Sequence, residues 1–307
     1  MSSIVEADSL SKNFGKTRAL NNISYHAEKG EILGFIGPDG SGKTTNFRIL
    51  TTLLRPSSGK ASIFGLDSVK NFREIRPRLG YMPGRFSLYQ DLSVEENLQF
   101  FASIFGSTIE KNYALIKDIY IMLEPFSKRP AGKLSGGMKQ KLALSCALIH
   151  KPELLILDEP TTGVDAVSRK EFWDMLIRLK EQGITILVST PYMDEASMCD
   201  RVALIQDGVI LNIDTPDTIV KNFDRQLFSV KSTDRYKLLQ VLGTSLYCHS
   251  VYPFGEFMHY IDKRNEISVN DISNFLNDNG IVNTEVKIAK PNIEDCFMEL
   301  MLKNERK

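Results

Sequence analysis

The chain has 307 residues, enough for one large domain and a smaller one around a sizeable buried core. Hydrophobic residues make up 42% and charged residues 25%, and Lys+Arg and Asp+Glu both total 38. That balance argues against a broad basic face for nucleic acid, though not against a local one. Apolar runs such as "ITILV" (184–188) and "LLIL" (154–157) fall far short of the about 20 residues needed to cross a bilayer.

Short apolar strands alternate with amphipathic helices over roughly the first 220 residues, which implies α/β layering around a mostly parallel sheet. "EILGFIG" (31–37) reads as a strand running into a glycine loop. "GPDGSGKTT" (37–45) follows and fits G-x-x-x-x-G-K-[ST] between a strand and a helix. Its glycines let backbone N–H groups curl inward toward phosphate oxygens, and the next helix adds its positive end. The loop residues Gly37, Pro38, Asp39, Gly40, Ser41, Gly42, Lys43, Thr44 and Thr45 are therefore candidate nucleotide contacts. Lys43 can reach the β- and γ-phosphates, and Thr44 can offer its hydroxyl to Mg²⁺.

"SVEENLQFFASIF" (93–105) opens with a capping box, Ser93 and Glu96, and sets Leu98, Phe101, Ala102 and Phe105 on one face, expected to be core. "LSGGMKQKLALSCAL" (134–148) has Ser135 as a natural N-cap before two glycines, a helix start able to grip an anion. By itself that piece reads equally well as a capped helix with a flexible lead-in. "LLILDEP" (154–160) is a buried strand ending in two acids. Asp158 can hold a magnesium shell through water, and Glu159 can orient or deprotonate an attacking water. "SRKEFWDMLIRL" (168–179) is a helix with Phe172, Met175, Leu176 and Leu179 inward, and "ITILVS" (184–189) another buried strand.

Beyond residue 222 the alternation weakens into a small α+β appendage. One helix runs from Asn270 to the "NDNG" stop, and another follows Pro291 with Asn292 as N-cap and Ile293, Phe297 and Leu300 on one side. Cys146, Cys199, Cys248 and Cys296 form no CxxC pair. With no apolar stretch after the N-terminus to suggest a signal peptide, they read as buried or idle thiols in a reducing cytoplasm. The four histidines show no metal-ligand spacing.

The order of these pieces resembles the nucleotide-binding domain of ABC transporters over roughly residues 3–222. "GPDGSGKTT" looks like the Walker A loop and "LLILDE" like Walker B. "LSGGM", Leu134, Ser135, Gly136, Gly137 and Met138, looks like the family signature. "TTGVDA" (161–166) is similar to the D-loop, with Asp165 in the aspartate position, and Phe14 matches the aromatic that stacks on adenine. The resemblance implies a P-loop NTPase core with an antiparallel β portion and a helical signature subdomain at about 85–150, the domain as a whole spanning 1–224, followed by an accessory domain at 225–307. It also implies ATP with Mg²⁺, and a head-to-tail dimer in which each signature completes the other subunit's site.

Two positions depart from the family. Its Pro-Gln pair, whose glutamine ligates Mg²⁺ and meets the membrane partner, reads Pro-Gly here, with Gly84. Its Ser-Thr-His pattern, whose histidine touches the γ-phosphate, reads "STP", with Pro191 expected at the first helical position. Losing positioning groups slows a reaction by orders of magnitude while leaving binding in place.

"DEA" (194–196), the "GRFSLYQDLSVEENL" segment (84–98) and the "NIEDCFMEL" tail (292–300) resemble drug and polysaccharide exporters. The expectation is a cytoplasmic ATP-binding subunit on the inner face of the cell membrane, an ATPase weakened in its own site. Its expected partners are separate membrane permease subunits and a second ATP-binding subunit, with no nucleic acid. A non-transport ABC ATPase acting on ribosomes or nucleic acid, and an ATP-sensing regulator, remain as alternatives.

Overall fold

The computed structural model describes residues 3–264 and 266–305. In chain order the first part carries β1 (Ser3–Phe14), β2 (Thr17–Glu28), β3 (Ile32–Ile36), α1 (Lys43–Leu50), β4 (Ser58–Ile63), β5 (Leu66–Asp67), α2 (Phe72–Ile75) and β6 (Leu79–Met82). There follow α3 (Val94–Ile104), α4 (Ile109–Tyr120), α5 (Gly136–Leu148), β7 (Leu154–Asp158), α6 (Ala166–Glu181), β8 (Thr185–Thr190), β9 (Arg201–Gln206), β10 (Val209–Asp214) and α7 (Pro216–Lys221). The last part holds β11 (Leu227–Lys231), α8 (Arg235–Thr244), β12 (Cys248–Phe254), β13 (Phe257–Asp262), α9 (Val269–Asp278), β14 (Glu285–Ala289) and α10 (Ile293–Glu305).

The central sheet has the order β10-β9-β3-β8-β7-β6. Its pairs from β9 to β6 are all parallel, and β10 closes the edge antiparallel. Every residue of β3, β7 and β8 is buried, as their largely apolar sequences demand of strands covered on both faces. A second, antiparallel sheet of order β2-β1-β4-β5 supplies the expected β portion. One apolar core joins it to α1 and the central sheet through Leu10, Ile23, Phe35, Phe47 and Ile205. The α/β expectation holds.

In α3 the capping box is present: Ser93 Oγ accepts from Glu96 N at 3.3 Å, and Glu96 Oε2 accepts from Ser93 N at 2.8 Å. The expected inward face is only half right. Leu98 and Ala102 are buried, but Phe101 is half-buried and Phe105 is 37% exposed, stacked on His150 at 3.8 Å. These aromatics line an open groove instead of closing a core. Asn97 is buried instead: its amide donates to the carbonyls of Tyr89, Leu92 and Ser93 and accepts from Tyr89 N. That asparagine pins the 89–93 loop to the helix, satisfying backbone groups that burial would otherwise leave unpaired.

Contacts divide the chain into two compact units, one of residues up to Pro216 together with those from Glu299 on, the other Asp217–Met298. The second unit runs β-α-β-β-α-β, and its antiparallel sheet has the order β12-β13-β11-β14. That is two interleaved split β-α-β units, the ferredoxin-like arrangement. Its core sets Phe228, Val230, Met258 and Tyr260 of the sheet against Leu238, Leu242, Ile272 and Leu276 of α8 and α9.

At the start of α10, Asn292 and Asp295 cap each other, Asp295 N donating to Asn292 Oδ1 at 3.0 Å and Asn292 N to Asp295 Oδ2 at 2.8 Å. The fully buried Asp295 also accepts from Tyr252 OH at 2.8 Å and lies 2.6 Å from His259 Nδ1. Burial and that carboxylate push the Tyr252 phenol well up. Removing the carboxylate would strand two buried polar partners at once. Asp295→Ala should therefore cost about 3–5 kcal/mol of stability in urea unfolding, and Asp295→Asn clearly less. A loss below about 1 kcal/mol for the alanine variant would show that the network carries no stability.

Candidate functional site

Parallel strands end on the same side of a sheet, and the chemistry-bearing residues sit on those ends. The register pairs Ile36 with Thr190, Asp158 with Ser189 and Met82 with Leu157. The glycine loop after β3, Asp158 and Glu159 at the end of β7, Pro191 after β8 and Gly84 just past β6 are thus delivered to one edge.

The loop turns into α1 at Gly42, whose φ of 105° is open to glycine and strained for other residues. The first helical bond runs from Asn46 N to Gly42 O, so the amides of residues 43–45 have no helical acceptor and point out of the helix start. The Lys43 ammonium folds back into the loop, donating to Gly37 O at 2.7 Å and Pro38 O at 2.9 Å. It stands 3.6 Å from Glu159 Oε1 and is 3% exposed. Burial pulls its pKa down, and the Glu159 and Asp39 carboxylates oppose that pull.

Thr44 and Asp158 meet directly, Thr44 Oγ1 donating to Asp158 Oδ1 at 3.1 Å. The same oxygen accepts from Ser189 Oγ at 2.7 Å. The Glu159 amide donates to both Ser189 O and Ser189 Oγ, and Glu159 itself has a φ of 50°. That left-handed turn swings its carboxylate away from the strand toward Lys43. Ser189 was not among the expected site residues. The signal was a hydroxyl inside an otherwise apolar buried strand, which needs a partner there. Tyr81, near the same acids, is pushed up to about 12 by burial and then by Asp158.

Outward amides and a buried ammonium make an anion cradle suited to phosphates. Beside it a hydroxyl and a carboxylate share one point, both hard oxygen donors of the kind Mg²⁺ takes. No group of three or more His, Cys, Asp or Glu could hold a metal among the described residues, so a metal at Thr44 and Asp158 would need phosphate and water to fill its shell. The donor set fits Mg²⁺ on a nucleotide.

Phe14 ends β1 and is 50% exposed, with Lys12 Nζ 5.2 Å from its ring centre; it is an available face and not core. Ser135 caps α5, its Oγ accepting from Met138 N at 3.3 Å, with Leu134 buried before it. Gly136 and Gly137 face the 163–168 turn: a Cβ on Gly137 would meet Ser168 Oγ at 2.9 Å. Asp165 is the N-cap of α6, accepting from Val167 N at 3.1 Å and Ser168 N at 3.0 Å. Its carboxyl is held low by those bonds, Ser168 first.

Gly84 lies against the acids, since a Cβ there would stand 3.0 Å from Asp158 O and 3.8 Å from Glu159 Cβ. Pro191 requires a correction. It does not start the helix: the element that follows is a 3₁₀ turn over Met193–Met198 with Tyr192 as its N-cap. Pro191 instead bridges β8 and that turn, next to Thr190, whose carbonyl accepts from Gly37 N. It adjoins the phosphate loop and brings no polar side chain.

A phosphate-cradling loop on the carboxyl edge of a parallel sheet, with an acid pair two strands away, defines a P-loop nucleotide-binding domain of α/β type. The ABC transporter family profile matches residues 20–162. The chain is 33% identical over 306 residues to the bacitracin transport ATP-binding protein BcrA of Bacillus licheniformis, covering 98% of each. It is 40% identical over 221 residues to the probable multidrug ABC transporter ATP-binding protein YbhF of Escherichia coli K12, covering 70% of this chain but only 38% of YbhF. Among solved structures, cbiO1 of Clostridium perfringens, part of the ABC transporter complex cbiONQ, superposes with a TM-score of 0.64 at 26% identity, covering 72% of this chain and 92% of that one. The chain belongs to the ABC transporter family of ATP-binding proteins. No helix among the described residues is long and apolar enough to cross a membrane.

The close fit at Gly137 makes a prediction about packing alone. Alanine is the better helix former, so Gly137→Ala would stabilise α5 if space were free. With Ser168 in the way it should destabilise by about 1–3 kcal/mol, and the added change Ser168→Gly should recover part of that loss. Thermal unfolding of the parent and both variants decides it; a stabilised single variant would contradict the packing.

Proposed function

We propose that the chain is the ATP-binding subunit of an ABC exporter, an ATPase that grips ATP·Mg²⁺ firmly and hydrolyses it slowly in its own site. The observation that carries this reading is the joined set Lys43–Glu159 and Thr44–Asp158 on one sheet edge. When bound, ATP and Mg²⁺ supply the phosphoryl group and the cation that neutralises its oxygens. Lys43 exchanges its two loop carbonyls for phosphate oxygens, and the amides of residues 43–45 meet the same anion. That exchange frees Glu159 from its ion pair to orient a water. Thr44 and Asp158 would hold the metal side. Gly84 and Pro191 offer neither a metal ligand nor a γ-phosphate donor, so positioning is incomplete where catalysis depends on it.

The intact Ser135-Gly136-Gly137 helix start supports a role in completing the site of a second ATP-binding subunit, identical or different. An open, largely apolar groove of about 540 Å³, lined by Phe72, Tyr81, Pro83, Leu88 and Phe105 among others, begins beside Gly84 and supports docking of a membrane permease subunit there. The names of the relatives, multidrug and bacitracin transport, support export. The place that follows is the cytoplasmic face of the cell membrane. Residues after about 224 are an accessory domain, since they add no phosphate loop and no paired catalytic acids.

Fluorescent ATP titrated into two variants tests the reading. Lys43→Ala should weaken binding by about tenfold or more, because it removes the one full positive charge in the cradle. Glu159→Gln should keep the affinity within about threefold and abolish the residual hydrolysis. Unchanged affinity in Lys43→Ala would defeat the proposal.

A further inference from the structure

One buried carboxylate near this edge is left half used. Glu195 is 4% exposed. Its Oε1 accepts from Thr161 Oγ1 at 2.8 Å and lies 4.0 Å from Arg169 NH1. Its Oε2 is buried with no hydrogen-bond partner. A buried charge with an idle oxygen is costly, and an apolar residue of similar volume would avoid that cost. Packing therefore does not account for a glutamate here.

The three groups come from three segments that bound the site. Thr161 lies two residues after Glu159, in the turn that follows β7. Glu195 lies four residues after Pro191, beyond the end of β8. Arg169 lies on α6 one turn from its Asp165 cap. Arg169 NH2 also bonds the exposed Asp194 at 3.2 Å, and its guanidinium covers the Tyr192 ring at 4.6 Å. It thus stands between an exposed carboxylate and a buried one. A small shift onto Glu195 would give the idle oxygen its donor. Pro191 has no N–H and no polar side chain, so it cannot tie its own segment to the acids. Glu195 makes that tie from the next turn.

We propose that Glu195 is a positioning residue for the reaction at this chain's own site. With Thr161 and Arg169 it clasps the turn bearing Glu159 to the segment bearing Pro191, and so fixes the place of the Glu159 carboxylate once Lys43 releases it. The inference rests on the ATP-hydrolysis reading above.

The test uses the full chain and separates binding from chemistry by measuring fluorescent-ATP affinity and single-turnover hydrolysis of Mg·ATP side by side. Thr161→Val and Glu195→Gln should each lower the single-turnover rate about tenfold while affinity stays within about twofold. Thr161→Ser, which keeps the hydroxyl, should retain the parent rate. Thr161→Val/Glu195→Gln should be no slower than the slower single variant, because the two act as one unit. Should a buried substitution prevent folding, Arg169→Gln on the partly exposed face of α6 should still slow turnover several-fold. Unchanged rates in the folded variants would overturn the proposal, as would affinity falling in step with rate, or a parent that binds ATP and hydrolyses none. A parent that binds no ATP would instead overturn the functional reading on which it rests.

Discussion

A buried ammonium must be paired, and the site is built around that requirement. Taking a charged amine out of water costs several kcal/mol unless hydrogen bonds and an opposite charge replace the lost hydration. Lys43 is 3% exposed, and its replacements are the carbonyls of Gly37 and Pro38 and the Glu159 carboxylate. The loop thus folds onto its own cation. On the proposed reading, an anion that brings more and better oxygens would displace those carbonyls and release Glu159 at the same moment. Occupying the cradle and freeing the candidate base would then be one event.

The surrounding strands exist to hold this pair in register. Asp158 accepts from Thr44 of the loop and from Ser189 of the neighbouring strand, and Ser189 in turn fixes the Glu159 amide. Three strand ends are tied into one network, and Glu195 with Thr161 and Arg169 adds a tie further out. We propose that Gly84 and Pro191 occupy the positions from which two more groups would reach in, so that the frame is kept where it binds and thinned where it would position the reaction.

Much of this could be read in the sequence because it is local. The spacing in "GPDGSGKTT", the apolar run before Asp158 and the Ser93–Glu96 box each depend on residues a few places apart, and each appears where expected. What escaped is non-local or depends on competition between neighbours. Ser189 is a hydroxyl in a buried strand whose partners come from two distant segments. Pro191 could not be placed because the turn after it is 3₁₀ and begins at Met193. Phe105 has the right helical spacing for a core but faces an open groove. The split β-α-β order of the last unit was hidden because its strands are only five to seven residues long and none shows a clean alternation.

The central claim is that this site binds well and reacts slowly because two positions are vacant of function. Steady-state ATP turnover by the parent chain and by the double variant Gly84→Gln/Pro191→His tests it most directly. A Cβ at position 84 would stand 3.0 Å from Asp158 O, so the glutamine requires that backbone to give by a few tenths of an ångström. The account predicts slow turnover by the parent, far below the about 10 s⁻¹ typical of enzymes, and faster turnover by the variant at similar ATP affinity. A parent that already hydrolyses ATP at several turnovers per second would contradict it.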